Sequence, residues 1–314
     1  MERRPLGSSG LRVSALSLGS WRTFERISRE AGIAVMEAAR EAGIDFLDDA
    51  RYDDETGTAP ISTGYSEVVF GELFRAGGWK RDEVVVANKL WWEFWPEQSP
   101  AEELDGSLGR MGFDHLDLAY SAEPPAGLPL AELVGLVGEL LTSGKLRAWG
   151  VLNWEPELVS EASRLASDAG IAQPSGAQLP YSLAYPEPVE SPAMVDALGL
   201  AGAGVVASSV LAGGALSGKY AAGGAGRLTD APENPSGRRS LRIGELLRSR
   251  ADELGTTSSR LALAFALANP RVASVLFGAT SPEQVRENVG VLDVVAALGD
   301  DGVQGLRELA SSVD

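Results

Sequence analysis

Short apolar runs recur along the whole chain, and stretches with apolar residues at helical spacing lie between them. Most runs are continuously apolar, which is typical of parallel strands covered on both faces. The pattern predicts eight strands: Ala15–Leu18, Phe46–Asp49, Val84–Lys89, Leu116–Tyr120, Ala148–Leu152, Ala177–Leu179, Val205–Ser208 and Val272–Phe277.

Helix-start signals punctuate the segments between these runs. Ser99 is a predicted N-cap with Glu102 at the capping-box position, and Gly112 is placed to end the same helix. Pro156 and Pro282 each stand at the first position of a further predicted helix.

Eight alternations of strand and helix, without a shift in composition, predict an α/β fold. The expected form is a (β/α)8 TIM barrel in which residues 1–314 make a single domain. The alternative, an open doubly wound sheet, would carry a Gly-x-Gly-x-x-Gly turn that Leu18–Trp21 lacks. Connections 51–64, 91–99 and 211–240 are long enough to build an active site, although the glycine-rich stretch 221–226 could instead be disordered.

Composition narrows the possible chemistry. The net charge of -17 disfavours nucleic acid and anionic membranes as partners, and no apolar run is long enough for a membrane helix. The N-terminus lacks the apolar core of a secretory signal, so we expect a cytoplasmic protein. The chain has no cysteine and one histidine, His115. These counts exclude disulfides, thiolate metal sites and mechanisms that need two imidazoles.

Polar residues at the predicted carboxyl ends of strands are the candidates for catalysis. Asp48 ends the second strand, Tyr52 follows it, and Lys89 ends the third. A lysine in such a place has a lowered pKa unless a carboxylate pairs with it, and Asp48 is the natural partner. Such a lysine should ease proton loss from Tyr52, which suits a phenol acting as general acid toward a carbonyl oxygen. On spacing alone, a structural ion pair beside a loop aromatic is equally compatible.

Several segments, in order along nearly the whole chain, resemble the aldo-keto reductases. The similarity is greatest to the branch that includes potassium-channel β-subunits and many bacterial reductases. The segments are residues 4–21, Phe46-Leu-Asp-Asp-Ala, Ser66-Glu-Val-Val-Phe-Gly, Val86-Ala-Asn-Lys-Leu, Gly150-Val-Leu-Asn-Trp, residues 211–220 and residues 278–288.

The resemblance implies a barrel that binds NADPH and reduces aldehydes and ketones with a tetrad of Asp, Tyr, Lys and His. Asp48 and Lys89 match two members of that tetrad. The position of the family's tyrosine falls on Asp53, so we assign the phenol to the adjacent Tyr52, with Tyr65 as a weaker substitute.

The catalytic histidine of the family is replaced in this chain. Ala122 stands at its position, and His115 is expected to be a structural or surface residue. Glu123 adjoins the position but would reach the site only if the strand bulged, since consecutive strand residues point to opposite sides.

The resemblance also implies a cofactor site. Asn153 and Gln178 would bind the nicotinamide carboxamide, and Lys219 would bind the 2′-phosphate that distinguishes NADPH from NADH. Arg227, Arg238 or Arg239 could add to that charge. Ser208 stands where the family places an aromatic ring. The full implied set is Trp21, Asn153, Gln178, Ser208, Leu211, Gly213, Lys219, Gly278, Thr280, Gln284, Glu287 and Asn288.

Aromatic residues crowd the loop after Lys89, and we expect Trp91 and Trp92, with Ala122, to line an apolar substrate pocket. A packed lid is the alternative. The predicted activity is NADPH-dependent reduction of a small carbonyl compound. An NADP(H)-binding sensor or subunit, and a non-redox lyase or isomerase, remain the alternatives. No metal ligands are assigned, and the sequence leaves the oligomeric state open.

Overall fold

The computed structural model describes residues 1–220 and 234–313. Arg227 and the glycine-rich stretch 221–226 lie outside these residues. The described strands are β1 (Arg3–Pro5), β2 (Arg12–Ser14), β3 (Leu16–Gly19), β4 (Phe46–Asp48), β5 (Val85–Leu90), β6 (Leu116–Ser121), β7 (Leu146–Leu152), β8 (Gly176–Pro180), β9 (Gly204–Ser208) and β10 (Val272–Gly278). The described helices are α1 (Arg29–Glu41), α2 (Tyr65–Ala76), α3 (Pro100–Met111), α4 (Leu130–Thr142), α5 (Pro156–Asp168), α6 (Glu187–Glu190), α7 (Pro192–Ala201), α8 (Pro235–Leu254), α9 (Ser258–Ala268), α10 (Pro282–Val289) and α11 (Val291–Ser311).

Strands β3 to β10 close into a parallel barrel in the order β10-β3-β4-β5-β6-β7-β8-β9. This arrangement confirms the predicted (β/α)8 TIM barrel. The barrel register sets Asp48 beside Ala87, Lys89 beside Tyr120, and Leu152 beside Gln178. The carboxyl ends of these strands therefore meet at one mouth of the barrel.

A short antiparallel hairpin, formed by β1 and β2, precedes the barrel. Its apolar side chains Leu6, Leu11 and Val13 pack against the inward-facing side chains of Phe46 and Leu118. The hairpin thus covers the amino-terminal end of the barrel interior. The sequence patterns did not predict it, since its strands are only three residues long.

The predicted helix signals are confirmed where they were clearest. Ser99 and Glu102 form a complete capping box at the start of α3, and Gly112 ends that helix with φ 76°. One predicted boundary was wrong. The connection given as 211–240 ends earlier, because Asn234 caps the N-terminus of α8 and Pro235 starts the helix.

The barrel interior is filled by side chains that alternate along each strand. Phe46 and Ala87 face inward, so Asp48 and Lys89, two positions further along, face inward as well. Gly150 on β7 allows β8 to approach closely, because a β-carbon there would lie 2.2 Å from the carbonyl oxygen of Gly176. Among the described residues, no helix combines the length and the apolarity needed to cross a membrane.

Candidate active site

A buried ion pair lies at the carboxyl ends of β4 and β5. The ammonium group of Lys89 donates a short hydrogen bond to Oδ1 of Asp48 and a second one, 3.1 Å long, to the carbonyl of Asp49. Both side chains are only 2% exposed. The side-chain amide of Gln178 donates to Oδ2 of Asp48 at 3.0 Å. The structure therefore brings two predicted catalytic residues and one predicted cofactor residue into one network.

Asp49 points to the opposite side of β4, toward the helices. Its Oδ1 accepts a short hydrogen bond from Ser20, whereas its Oδ2 is buried without a partner among the described residues. Burial is the main cause that raises the pKa of Asp49 well above the ordinary value, and the nearby carboxylate of Glu67 adds to it. These surroundings favour the protonated carboxyl.

The structure distinguishes Tyr52 from its neighbour Asp53. The ring of Tyr52 packs edge-on against Trp91, with 6.4 Å between ring centroids. Asp53 is exposed and forms a bridge with Thr63 on the same loop. The substitute candidate, Tyr65, starts α2, and its hydroxyl accepts a hydrogen bond from Arg29 at 3.0 Å.

One expectation about Tyr52 is wrong. Burial, followed by the charge of Asp48, raises the pKa of its phenol well above the ordinary value of 10. The sequence argument had Lys89 easing proton loss from this phenol. In the structure, Asp48 accepts the short bond from Lys89, and the neighbouring carboxyl groups favour the neutral phenol.

Ala122 follows β6, where its backbone N–H donates to the carbonyl of Leu90 at 2.8 Å. Two residues earlier, on β6, Tyr120 is fully buried, and the Lys89 ammonium lies 5.6 Å from its ring centroid. The Tyr120 hydroxyl makes no hydrogen bond of good geometry within the described residues, although the Gln178 side chain lies near enough to lower its pKa slightly. Burial is the main cause of its strongly raised pKa.

His115 lies away from this network. It immediately precedes β6, at the amino-terminal side of the barrel, and its Nδ1 lies 2.6 Å from Oδ1 of Asp114. Glu123 is exposed just after β6, and no described side chain contacts it through a hydrogen bond or an ion pair. The described residues therefore place no imidazole or carboxylate at the position of Ala122.

The aromatic residues after Lys89 divide into two groups. Trp91 is half-buried against Tyr52, at the mouth. Trp92 is only 3% exposed, its indole donates to Ser121 at 2.9 Å, and Trp95 packs against its ring. The placement of Trp92 therefore corrects the expectation that it lines a pocket. Its backbone is left-handed, with φ 60°, and this turns the ring beneath the loop.

Left-handed backbone at residues other than glycine recurs around the mouth. The residues are Arg22, Trp92, Asn153, Ser209 and Ala212, with φ between 46° and 60°. They lie in segments that follow β3, β5, β7 and β9. Strained backbone of this kind concentrates at functional sites, which supports the mouth as the candidate site.

The predicted cofactor residues after β9 surround a tight glycine turn. Ser208 ends β9, and Leu211 precedes a 3-10 segment that contains Gly213 and Gly214, both with positive φ. A β-carbon at Gly214 would lie 3.1 Å from the ammonium nitrogen of Lys219. The turn thus brings a bare backbone and a positive charge together, a combination that suits a phosphate group.

The predicted residues on and before α10 are only partly free to meet a ligand. Gln284 accepts from the backbone and side chain of Thr280, and Glu287 pairs with Thr257 and Arg260. Asn288 is buried, with 6% of its surface exposed.

The other predicted cofactor positions lie around the same mouth. Gly278 is the exposed last residue of β10, Asn153 directly follows β7, and Trp21 is exposed after β3. Of the two described arginines considered for the 2′-phosphate, Arg239 donates at 2.6 Å to the carbonyl of Ala184.

These features define a (β/α)8-barrel protein with a polar site at the carboxyl ends of its strands. The chain belongs to the aldo/keto reductase family, whose family model matches residues 15–310. Relatives in two plants are named as probable voltage-gated potassium channel β subunits. The rice (Oryza sativa subsp. japonica) protein is 33% identical, covering 99% of this chain and 97% of its own length. The Arabidopsis thaliana protein is 30% identical, covering 95% and 93%, respectively.

Three buried residues around the site were not predicted: Arg51, Glu103 and Tyr120. Strand alternation could have found Tyr120, because it lies two residues before Ala122 on an apolar strand. The capping-box pattern predicts a role for Glu102 but gives no signal for its neighbour Glu103. No local signal distinguishes Arg51 from an ordinary loop arginine.

Proposed function

We propose that this protein is an NADPH-dependent oxidoreductase that reduces an aldehyde or a ketone, with Tyr52 as the proton donor. The observation that carries the proposal is the buried Lys89–Asp48 pair at the barrel mouth, with Tyr52 in the loop directly after Asp48. Membership of the aldo/keto reductase family supports oxidoreductase chemistry in general.

The residues present fit the dinucleotide. Lys219 above the glycine turn would hold the 2′-phosphate, and Asn153 and Gln178 would hold the carboxamide. Asn288 would meet the adenosine end. When bound, NADPH supplies the hydride that adds to the carbonyl carbon.

The protein's own part in the reaction is the movement of a proton. Because its pKa is raised, Tyr52 keeps its phenolic proton throughout the neutral range. The carbonyl oxygen becomes basic as the carbon accepts hydride, and it then takes the proton from Tyr52. Lys89 provides positive charge at the base of the pocket, where Asp48 and the Asp49 carbonyl fix its position.

Ala122 sets a limit on the rate. An alanine neither donates a hydrogen bond to the carbonyl oxygen nor orients it, and a positioned group of this kind typically contributes about 10²–10⁴-fold. We therefore expect slow turnover with unactivated ketones and faster turnover with electrophilic aldehydes.

The test combines NADPH binding with single-turnover oxidation. NADPH should quench tryptophan fluorescence, and its absorbance should fall when an aldehyde is added. Tyr52→Phe should slow the oxidation by about 10²-fold or more. Tyr65→Phe is the matched control, since Tyr65 bonds to Arg29 on the outer helices. Absence of NADPH binding, or equal rates for Tyr52→Phe and the unmodified protein, would overturn the proposal.

A second candidate is an NADP(H)-binding regulatory subunit. It is favoured by Ala122 and by the names of the plant relatives, which describe channel subunits. This candidate predicts tight NADPH binding without single-turnover oxidation by any aldehyde or ketone in a broad panel. Oxidation that depends on Tyr52 would exclude it as the sole function.

A further inference from the structure

Arg51 ties together two loops of the mouth. It is buried in the loop after β4, where Nη1 donates to Thr63 at 3.2 Å and Nη2 to Glu93 at 2.7 Å. Its guanidinium also lies 5.0 Å from the ring centroid of Phe94, and Nη2 is 3.8 Å from Oε1 of Glu103. One side chain therefore connects the loop that carries Tyr52, the loop that follows Lys89, and helix α3.

Glu103 holds the first turn of that second loop. Its side chain is 5% exposed. Oε1 accepts from the backbone N–H of Trp91 at 2.8 Å, and Oε2 from that of Trp92 at 3.2 Å. Trp92 has φ 60°, a backbone conformation that is unfavourable for a bulky residue and persists only where surrounding contacts enforce it. The two hydrogen bonds that Glu103 accepts are such contacts, and the hydrogen bond that the Trp92 indole donates to Ser121 is a third.

This turn begins two residues after Lys89 and determines where Trp91 lies. Trp91 in turn packs edge-on against the ring of Tyr52. A carboxylate accepts two N–H groups at once, whereas a side-chain amide of the same size offers one oxygen and presents an NH₂ to the second N–H. The arrangement therefore depends on the charge-bearing carboxylate itself as well as on the volume of the side chain.

We propose that Glu103, braced by Arg51, is a positioning residue that sets Trp91 against Tyr52 and thereby aims the phenol at the carbonyl subsite. The aiming of the phenol rests on the proposed function. The placement of the ring does not, and it is measured separately from turnover.

The first measurement is fluorine NMR of protein labelled with 3-fluorotyrosine. The chain has six tyrosines, and Tyr52→Phe identifies the resonance of Tyr52. Glu103→Gln should shift that resonance. Loss of one of the two hydrogen bonds from the backbone N–H groups moves the Trp91 ring, and its ring-current effect on Tyr52 then changes. Arg51→Lys keeps the positive charge but loses the planar guanidinium with its several N–H donors. It should shift the Tyr52 resonance in the same direction by a smaller amount.

Glu102→Gln is the matched control. Glu102 lies on the same helical turn, is exposed, and bonds to Ser99 in the capping box, where glutamine is an accepted substitute. It should leave the Tyr52 resonance in place. An unmoved resonance in Glu103→Gln overturns the proposal, whether or not the protein reduces carbonyl compounds.

The second measurement is kinetic. In Glu103→Gln, kcat should fall by about tenfold to a hundredfold, as expected for a small misplacement of a reacting group. The Kd of NADPH should stay within about twofold, a change below 0.5 kcal/mol. Loss of NADPH affinity in parallel with kcat, or an unchanged kcat despite a shifted resonance, would overturn the positioning role. Absence of turnover in the unmodified protein contradicts the proposed function alone, and the fluorine result still decides the placement.

Discussion

The side-chain amide of Gln178 lies 3.0 Å from Oδ2 of Asp48, so a residue expected to bind the cofactor supports the carboxylate of the buried Lys89–Asp48 pair. This contact joins strands β4 and β8 across the barrel interior. Cofactor binding and the geometry of the Lys89–Asp48 pair should therefore be coupled through one amide.

Gln178→Met should affect both properties, because it removes the donor but keeps the length of the side chain. We expect a loss of about 1.5–3 kcal/mol in the free energy of unfolding, the usual value for a hydrogen bond to a charged group. The Kd of NADPH should rise by about tenfold. Urea unfolding and fluorescence titration measure the two effects. Gln304→Met, on the exposed face of α11, is the control. Unchanged NADPH affinity in Gln178→Met would contradict the coupling.

Lys89→Met should destabilise the protein strongly, since it leaves the buried carboxylate of Asp48 without its cation. The expected cost is about 3–5 kcal/mol by urea unfolding. The double variant with Asp48→Asn should cost less than the sum of the single changes, because no charge is then left unpaired. Lys145 pairs with Asp105 at 2.6 Å with both side chains about half exposed, so Lys145→Met should cost less than about 1 kcal/mol. Additive costs at Asp48 and Lys89 would refute the buried pair.

Asp49→Asn should stabilise the protein at neutral pH. The pKa of Asp49 is higher in the folded than in the unfolded state, so the folded state binds more protons and stability falls as the pH rises above 3.8. The asparagine variant keeps an oxygen that accepts the hydrogen bond from Ser20, and it does not lose stability as the pH rises because it has no proton to release. It should be more stable at pH 7 by about 1 kcal/mol or more.

Unfolding measured from pH 4 to pH 8 should show the gap between Asp49→Asn and the unmodified protein widening with pH. Asp54 gives the opposite contrast, because hydrogen bonds from Thr56 and neighbouring amides lower its pKa to about 2. Its contribution is present above pH 3.8 and is lost as the pH falls. If the difference in stability between Asp49→Asn and the unmodified protein narrowed toward pH 8, the inferred protonation of Asp49 would be refuted.

Tyr120→Phe should raise the free energy of unfolding by about 1 kcal/mol, because the buried hydroxyl makes no hydrogen bond of good geometry in the described residues and Gln178 beside it donates to Asp48 instead. The ring, and with it the cation–π contact to Lys89, is kept. Tyr185→Phe, at an exposed site, should change nothing. Thermal and urea unfolding provide the measurement, and a destabilised Tyr120→Phe would reveal that the hydroxyl is satisfied in solution.

Lys219→Met should weaken NADPH by more than about tenfold and leave NADH nearly unchanged, because its ammonium over the glycine turn would bind the 2′-phosphate. Lys80→Met removes an exposed lysine paired with Glu83, and both affinities should be retained. Titrations with the two dinucleotides are the measurement. Equal losses for NADPH and NADH would count against the assigned role.

The barrel was predictable because each strand and most helix starts carry local signals. Parallel strands buried on both faces are continuously apolar, and the capping box at Ser99 fixes a helix start within one residue. The hairpin at Arg3–Ser14 was missed because its strands are too short for a periodicity. The start of α8 was misplaced although Asn234 and Pro235 mark it.

The site was predictable only where topology decides it. Asp48 and Lys89 meet because the carboxyl ends of neighbouring parallel strands meet. The raised pKa of Tyr52 depends first on its burial and then on the charge of Asp48. The burial follows from packing between loops and cannot be predicted from the local sequence. The burial of the Trp92 ring accompanies a left-handed backbone at that residue, which the presence of a tryptophan does not predict.

The amino-terminal hairpin covers one end of the barrel. Leu6, Leu11 and Val13 pack over the end at which the strands begin, so within the described residues Lys89 faces the mouth at the other end. A molecule bound over that mouth would therefore cover the Lys89–Asp48 pair. Because side chains fill the barrel interior, trimming the hairpin would expose the apolar groups of Phe46 and Leu118 to water.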